Sequence, residues 1–323
     1  MILVTGATGF VGSALVRQLV GEGEAVRILR RPTSSLDLLG DTAGAVEHAL
    51  GDVTDMDAVV QAMAGVGTVY HVAAVMAFGG RAERSMRRVN VGGTANVVNA
   101  ALMAGAERLV HTSSIAALGR SLHPTGLMDE TAEWTSSPAN TAYAVSKRDA
   151  ALEVRRGVAE GLDAVTVCPA LVFGPGRSGE GTFALAERVA AGRVPMAPPG
   201  GTAVVDVADV ATGLRLAARA GVSGERYVLA AQNLLWADIL RALAEAAGVS
   251  PPRRVAAPWM LRLGGALAEV GAAVLRSEPA LTRATAQNAS ATYRYDGSKA
   301  ARDLGLTYRS FEETAARVAS ALG

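Results

Sequence analysis

The stretch Ile2-Leu-Val-Thr5, followed by Gly6-Ala-Thr8-Gly9-Phe10-Val11-Gly12, decides the fold of this chain. The apolar tetrad predicts a short buried strand, and helical periodicity resumes after it and runs to about Val20. Glycines at 6, 9 and 12 allow a tight turn, close approach of backbone to a pyrophosphate, and close packing of helix on strand. The spacing G-x-x-G-x-x-G departs from the generic G-x-G-x-x-G dinucleotide fingerprint. In a chain with 36 glycines a triplet alone carries little weight. Its position between the first strand and the first helix supplies the weight, so Gly6, Thr8, Gly9, Phe10, Val11 and Gly12 are the expected phosphate cradle.

Working outward, further apolar runs appear at Val26–Leu29, Val46–Leu50, Val69–Val72 and Leu109–Thr112, with helical stretches between them. A long helix from about Asn140 to Glu160 then precedes a sixth run at Val165–Cys168. This alternation predicts βαβ units with right-handed crossovers and a site at the carboxyl ends of the strands. The expected class is α/β: a Rossmann-type doubly wound parallel sheet with a smaller C-terminal substrate lobe. Turn punctuation sets in after Phe173, at Gly174-Pro-Gly176, Pro195 and Pro198-Pro-Gly-Gly201. Residues 1–173, completed by about 204–230, are therefore read as the nucleotide-binding domain, and 174–203 with 231–323 as the substrate lobe.

Composition removes whole classes of function. Half of the 323 residues are hydrophobic and 19% are charged, enough apolar matter for a sizeable core. Basic and acidic residues number 31 and 30, so there is no electrostatic footprint for nucleic acid or an acidic membrane. The single cysteine, Cys168, excludes an internal disulfide framework and suits the reducing cytoplasm as a small core residue. His48, His71, His111 and His123 lack ligand spacing, and no metal is expected. The most membrane-like stretch, Pro258–Leu275, carries Arg262 and Glu269 and is read as a helix of the substrate lobe.

Chemistry-bearing residues gather at the predicted strand ends. Where NAD-binding folds usually place an acid to hold the ribose 2′-hydroxyl, the second strand ends in Arg30-Arg31, whose guanidinium fork suits a 2′-phosphate. NADP(H) is accordingly favoured over NAD(H). Asp52, beside Val53 after the third strand, is a candidate for the adenine amino group, while Asp55 is the expected helix cap. Tyr143 and Lys147 lie four apart on one helical face. With six tyrosines and only two lysines in the chain, such a pair arises by chance about 0.04 times. An ammonium beside a phenol lowers its pKa towards usefulness in proton transfer. Thr112-Ser113-Ser114 ends the fifth strand, where a hydroxyl can hydrogen-bond a carbonyl and its developing oxyanion.

Together with His71-Val-Ala73-Ala74, Asn90-Val-Gly-Gly-Thr94 and Cys168-Pro169-Ala170-Leu-Val172-Phe173-Gly-Pro175, these motifs resemble the extended short-chain dehydrogenase/reductases over residues 1 to about 215. The resemblance implies Tyr143 as proton donor to a carbonyl. It implies Lys147 as holder of the nicotinamide ribose that also depresses the Tyr143 pKa, and Ser114 (Ser113 competing) as the polarising hydroxyl. It further implies that Asn90, Ala73, Ala74 and Thr112 line the cofactor and that Pro169, Ala170 and Val172 flank the nicotinamide. Within that superfamily the chain looks most like the dihydroflavonol-reductase-like group, through Val26-Arg-Ile-Leu-Arg30-Arg31-Pro32 and Asp129-Glu-Thr-Ala-Glu-Trp134. An NADPH-dependent reduction of a ketone or aldehyde is implied. Nucleotide-sugar epimerase or dehydratase, hydroxysteroid-type dehydrogenase and non-catalytic nucleotide sensor are the alternatives. Met76, Phe78 and Phe173 are expected to wall the substrate pocket with Ser114 and Tyr143. The helices near 94–104 and 140–160 have alanine-rich faces suited to pairing with a second copy.

Overall fold

The alternating pattern yields a seven-stranded parallel sheet in the computed structural model, which describes residues 1–76, 80–121, 126–261, 263 and 283–323. Its strands are β1 (Ile2–Thr5), β2 (Val26–Arg30), β3 (Glu47–Leu50), β4 (Thr68–His71), β5 (Arg108–Thr112), β7 (Ala164–Pro169) and β11 (Arg226–Leu229). The short β6 (Leu127–Met128), β8 (Leu171–Phe173), β9 (Met196–Ala197) and β10 (Gly201–Asp206) lie between them in sequence and outside this sheet. The spatial order β11-β7-β5-β4-β1-β2-β3 reverses direction of travel at β1, so a crevice opens between the carboxyl ends of β1 and β4. The central strands β1, β4, β5 and β7 are buried along most of their length because both faces are covered, whereas β3, Glu-His-Ala-Leu at the edge, is largely exposed. On one face lie α1 (Phe10–Gly21) and α7 (Val207–Ala220). On the other lie α2 (Met56–Ala62), α4 (Gly93–Ala104) and α5 (Ala142–Ala159). The element before α4 is α3 (Gly80–Met86), joined to it through a π-helical turn, Arg87–Gly92.

Local chemistry sets the ends. Asp55 caps α2 by accepting from the amides of Asp57 and Ala58, as expected. α4 stops at Gly105, whose φ of 65° is left-handed. The long helix begins at Ala142, two residues later than its pattern suggested. Thr141 is the cap that accepts from the Ala144 amide, and Asn140 spends its side chain on the Arg120 amide (2.8 Å) and the Thr135 carbonyl (2.8 Å).

The remainder forms a second, smaller layer. β8, β10 and β12 (Gln232–Leu235) make a three-stranded sheet. Helices α6 (Gly181–Ala190), α8 (Trp236–Ala246) and Phe311–Ser320 cover it around a separate apolar core. β9 pairs with β13 (Arg254–Val255), and β6 with β14 (Arg294–Tyr295). Two buried carboxylates fasten the C-terminal segment to α7: Asp206 caps that helix at Ala208 (2.7 Å) and pairs with Arg317 (2.5 Å), while Asp209 pairs with Arg309 and accepts from its amide (2.7 Å). Among the described residues no helix is long and apolar enough to cross a membrane. Phe78, His123 and most of the Pro258–Leu275 stretch lie outside the described residues.

Asp206→Ala removes the cap and leaves Arg317 without its partner. Urea denaturation should show a loss of about 2 kcal/mol with an unchanged slope.

Candidate active site

Cradle and cleft. The crevice is a cleft of about 380 Å³ along the carboxyl edge of the sheet. At one end Gly6, Thr8, Gly9, Phe10, Val11 and Gly12 line it. Gly6 has φ +69°, and a Cβ there would lie 2.5 Å from the Ala73 amide; a Cβ on Gly12 would lie 2.1 Å from the Gly6 carbonyl. Internal packing therefore demands those two glycines. Gly9 is different: its φ is ordinary, and a Cβ would meet only the Gly6 oxygen, at 3.3 Å. Its bareness keeps the N-terminus of α1 open. That terminus has no side-chain cap and no acidic residue in its first turn, and the amides of Phe10, Val11 and Gly12 have no partner among the described residues. Free amides at the positive end of a helix dipole, on a loop stripped of side chains, fit a nucleotide pyrophosphate.

Arg30, Arg31, Asp52 and Val53 line the far end of the cleft with Ser34. Arg31 is exposed. Arg30 donates from Nε to His48 Nδ1 (2.7 Å), and His48 Nε2 bonds the Ala43 carbonyl (2.8 Å), so the pair is tied down over β3. Among the described residues, the guanidinium at this end without a hydrogen-bond or ion-pair partner is Arg31. Asp52 uses Oδ1 on the amide and hydroxyl of Thr54 (2.9 and 2.8 Å), which fixes its carboxylate at the cleft wall.

At the centre, Thr112, Ser113, Ser114, Tyr143 and Lys147 converge. Ser114 follows β5; its oxygen accepts from the Ala116 amide (3.1 Å), and its hydroxyl stands beside the Tyr143 phenol. The neighbouring Ser113 lies against the Cys168 thiol, so Ser114 is the serine beside the tyrosine. Cys168 is a buried free thiol, its pKa pushed up to about 11 by burial. Lys147 is 2% exposed, and its ammonium donates to the Thr112 carbonyl (2.6 Å). Burial holds it down at about 8. The expected depression of the phenol by Lys147 is not what dominates here. Burial pushes the Tyr143 pKa up, and the groups pulling against that are the Ser114 hydroxyl and the Arg120 guanidinium. Lys147 points to the end of β5 instead.

Two further corrections concern Asn90 and Phe173. Asn90 is fully buried: its amide clamps Val75 at both amide (2.8 Å) and carbonyl (2.9 Å) and donates to Ser146 Oγ (3.0 Å), so it holds the cleft wall without lining it. Phe173 is fully buried edge-on against Phe311, centroids 5.0 Å apart, because β8 turns its aromatic into the core of the second layer; it is no substrate contact. Met76 is exposed just beyond Val75. Ala73, Ala74, Pro169, Ala170 and Val172 line the cleft, joined by Val75 beyond β4, by Leu29 and Val72 at the strand ends, and by Val89 of the π-helical turn. Arg120 was missed altogether. No motif marks it, and its guanidinium arrives 5.2 Å from the Tyr293 ring centroid through a contact 173 positions along the chain.

A parallel sheet with this switch point, this glycine cradle and a Ser–Tyr–Lys set at its edge defines a nucleotide-dependent oxidoreductase of the short-chain type. The chain belongs to the NAD dependent epimerase/dehydratase family, whose model matches residues 2–230. It is 35% identical to sterol demethylase protein B of Methylococcus capsulatus, over 94% of this chain and 92% of that protein. It is 32% identical to a putative dihydroflavonol 4-reductase of Synechocystis, over 97% of this chain and 92% of that protein. The crystal structure of gox2253 superposes with a TM-score of 0.84 at 33% identity, covering 99% of this chain and 97% of that one. The protein is an enzyme of this extended group, acting with a nicotinamide nucleotide on CH–OH or C=O groups.

The folded Lys147 loses its proton near 8, whereas the unfolded side chain keeps it to 10.5. The unfolded chain thus binds more protons between those values, and stability rises with pH across that window. Lys147→Met should abolish that rise. It should also raise nucleotide-free stability at pH 7 by about 2 kcal/mol, the ionisation penalty less one lost hydrogen bond. Denaturant titrations at pH 7 and 9.5 check both.

Proposed function

We propose that the enzyme is an NADPH-dependent reductase that converts a ketone or aldehyde to an alcohol, with Tyr143 as proton donor. The observation that carries this reading is the Tyr143 phenol: it stands half-buried beside the Ser114 hydroxyl, and desolvation raises its pKa above the ordinary value, so it keeps its proton through the physiological range. A protonated phenol beside a second hydroxyl suits a carbonyl oxygen that is gaining negative charge. When bound along the cleft, the nicotinamide supplies the hydride to the carbonyl carbon. Tyr143 gives its proton to the oxygen, and Ser114 hydrogen-bonds that oxygen as charge develops. Lys147 is placed by the Thr112 carbonyl to hold the nucleotide ribose. The free Arg31 guanidinium at the far end, with no acid at the end of β2, supports a 2′-phosphate and hence NADP(H). The dihydroflavonol reductase-like relative adds weight to a carbonyl substrate.

NADPH oxidation with a panel of aromatic and aliphatic carbonyls tests the reading. No turnover with either nucleotide, alongside tightly bound nucleotide in the purified protein, would favour a returned hydride and thus the epimerase or dehydratase alternative. Tyr143→Phe is expected to lower kcat roughly 10²- to 10⁴-fold while NADPH affinity stays within twofold. Arg31→Asp should shift the NADPH-to-NADH ratio of kcat/KM towards NADH by roughly tenfold or more; an unchanged ratio removes the 2′-phosphate assignment.

A further inference from the structure

Behind the serine pair lies a second cavity, of about 350 Å³. Ser113 is the wall between it and the nucleotide cleft, since that residue lines both. The way the sheet is covered explains the space. On one side stands α5, which packs on β7, and on the other the loop 129–134, which is tied to the edge strand β11. Arg226 of that strand donates to the carbonyls of Glu130 and Ala132 (2.5 and 2.7 Å), and the Glu130 carboxylate accepts from the Val228 amide (2.7 Å). A loop held at the strand edge leaves the angle between helix and sheet unfilled. Thr166 and Cys168, two apart on β7 and so on one face of it, line that angle with Ser113.

The walls are apolar, and the charge around them is mostly of one sign. Ala151 and Leu152 of α5 line the cavity with Ala117 and Leu118. Arg148 and Arg155 stand on the same helical face, one before and one after that pair, about 10 Å apart along the axis. Arg226 lines the cavity too, and the one carboxylate among its lining residues is that of Glu133, which is exposed. Arg148 is engaged: it rests over Trp134, 5.5 Å from the ring centroid, and pairs with Asp149 (3.2 Å). The Arg226 guanidinium is oriented by carbonyls, which leave its charge uncompensated. Arg155 differs from both. The adjacent Arg156 holds Glu153 (3.0 Å) and Glu160 (2.7 Å), whereas Arg155 is exposed and has no hydrogen-bond or ion-pair partner among the described residues. Guanidiniums gathered round an apolar slot repel one another, and an anion seated among them relieves that repulsion.

We propose that this cavity is a second ligand site, which takes a small amphipathic acid: a carboxylate on Arg155 and a short apolar body against Leu152, Leu118 and Ala117. Its volume is that of a small-molecule site. The planar fork of a free guanidinium suits a carboxylate, and the walls below it suit a chain without polar groups. The site stands apart from the reductase reading, because it uses none of the residues that hold the nucleotide or move the proton.

Calorimetry on the full chain tests it, with octanoate and octylammonium as probes and NADP⁺ present to occupy the cleft. Octanoate should bind one to a chain, and octylammonium, with the same body and the opposite charge, roughly tenfold more weakly or worse. Arg155→Gln should weaken octanoate by about tenfold, the loss of one charge-assisted contact, without weakening octylammonium. Ala151→Phe fills the slot from α5 and keeps every charge; it too should weaken octanoate by about tenfold. A melting midpoint within about 3 °C of the unaltered protein reports an intact fold. Arg155→Gln, at an exposed position without partners, carries the comparison where Ala151→Phe fails that check. Octanoate that does not bind, or binds no better than octylammonium, overturns the site. So does octanoate that binds Arg155→Gln or a folded Ala151→Phe as well as the unaltered protein, an outcome that puts the acid elsewhere on the chain.

Discussion

A buried ammonium constrains this structure more than any other single feature. Lys147 is sealed from solvent with one backbone carbonyl for company, and moving a charge into such a place without a counter-ion costs several kcal/mol. The surroundings adapt to it. His71 and His111 stack 5.4 Å apart on the neighbouring strands, and burial first, then Lys147, hold both neutral, His71 down at about 3. The position of α5 follows from the same contact. With Nζ on the last carbonyl of β5, the helix brings Tyr143 one turn earlier to the serine that follows β5. The catalytic geometry is thus set by where a cation can be buried.

A single chain of hydrogen bonds transmits that placement to the nucleotide end. Thr94 donates to the Asn90 carbonyl (2.5 Å), so His71 Nε2 donates to Thr94 (2.9 Å) and His71 Nδ1 accepts from Thr5 (2.7 Å). Thr5 is the last residue of β1, immediately before the cradle, and Asn90 clamps Val75 and Ser146. Phosphate loop, cleft wall and catalytic helix are therefore links of one buried polar network. Such networks specify a unique arrangement when every member is satisfied. His111 is the exception, with neither ring nitrogen paired; its stacking on His71 and its proximity to the lysine are what the structure offers it.

Much of this was legible in sequence because the signals were local. The β1–loop–α1 unit and the spacing of Tyr143 and Lys147 each lie within a dozen residues, where periodicity and capping rules operate. Arg30 and Arg31 could be identified as a pair, yet only the contact with His48, eighteen positions on, shows which of them is free. Asn90 and Phe173 were misplaced for a related reason. Sequence places both near strand or helix ends that border the cleft, but it does not show which way a side chain turns once a neighbour such as Val75 or Phe311 arrives. Arg120 was invisible because its meaning depends on Tyr293.

That dependence ties specificity to catalysis. Asp206 and Asp209 fasten the C-terminal segment to α7, which packs on the sheet, while residues 288–295 reach across to Ala139 and Ser121. These contact points flank Asn140 and Thr141, the residues that start the catalytic helix. The second layer is thus not an independent lid hung over a finished site. Its docking sets the entry of α5 and, through it, the height of Tyr143 above the cleft. A change of substrate preference made on the 288–295 segment would be felt at the phenol, so the two properties cannot vary independently in this fold.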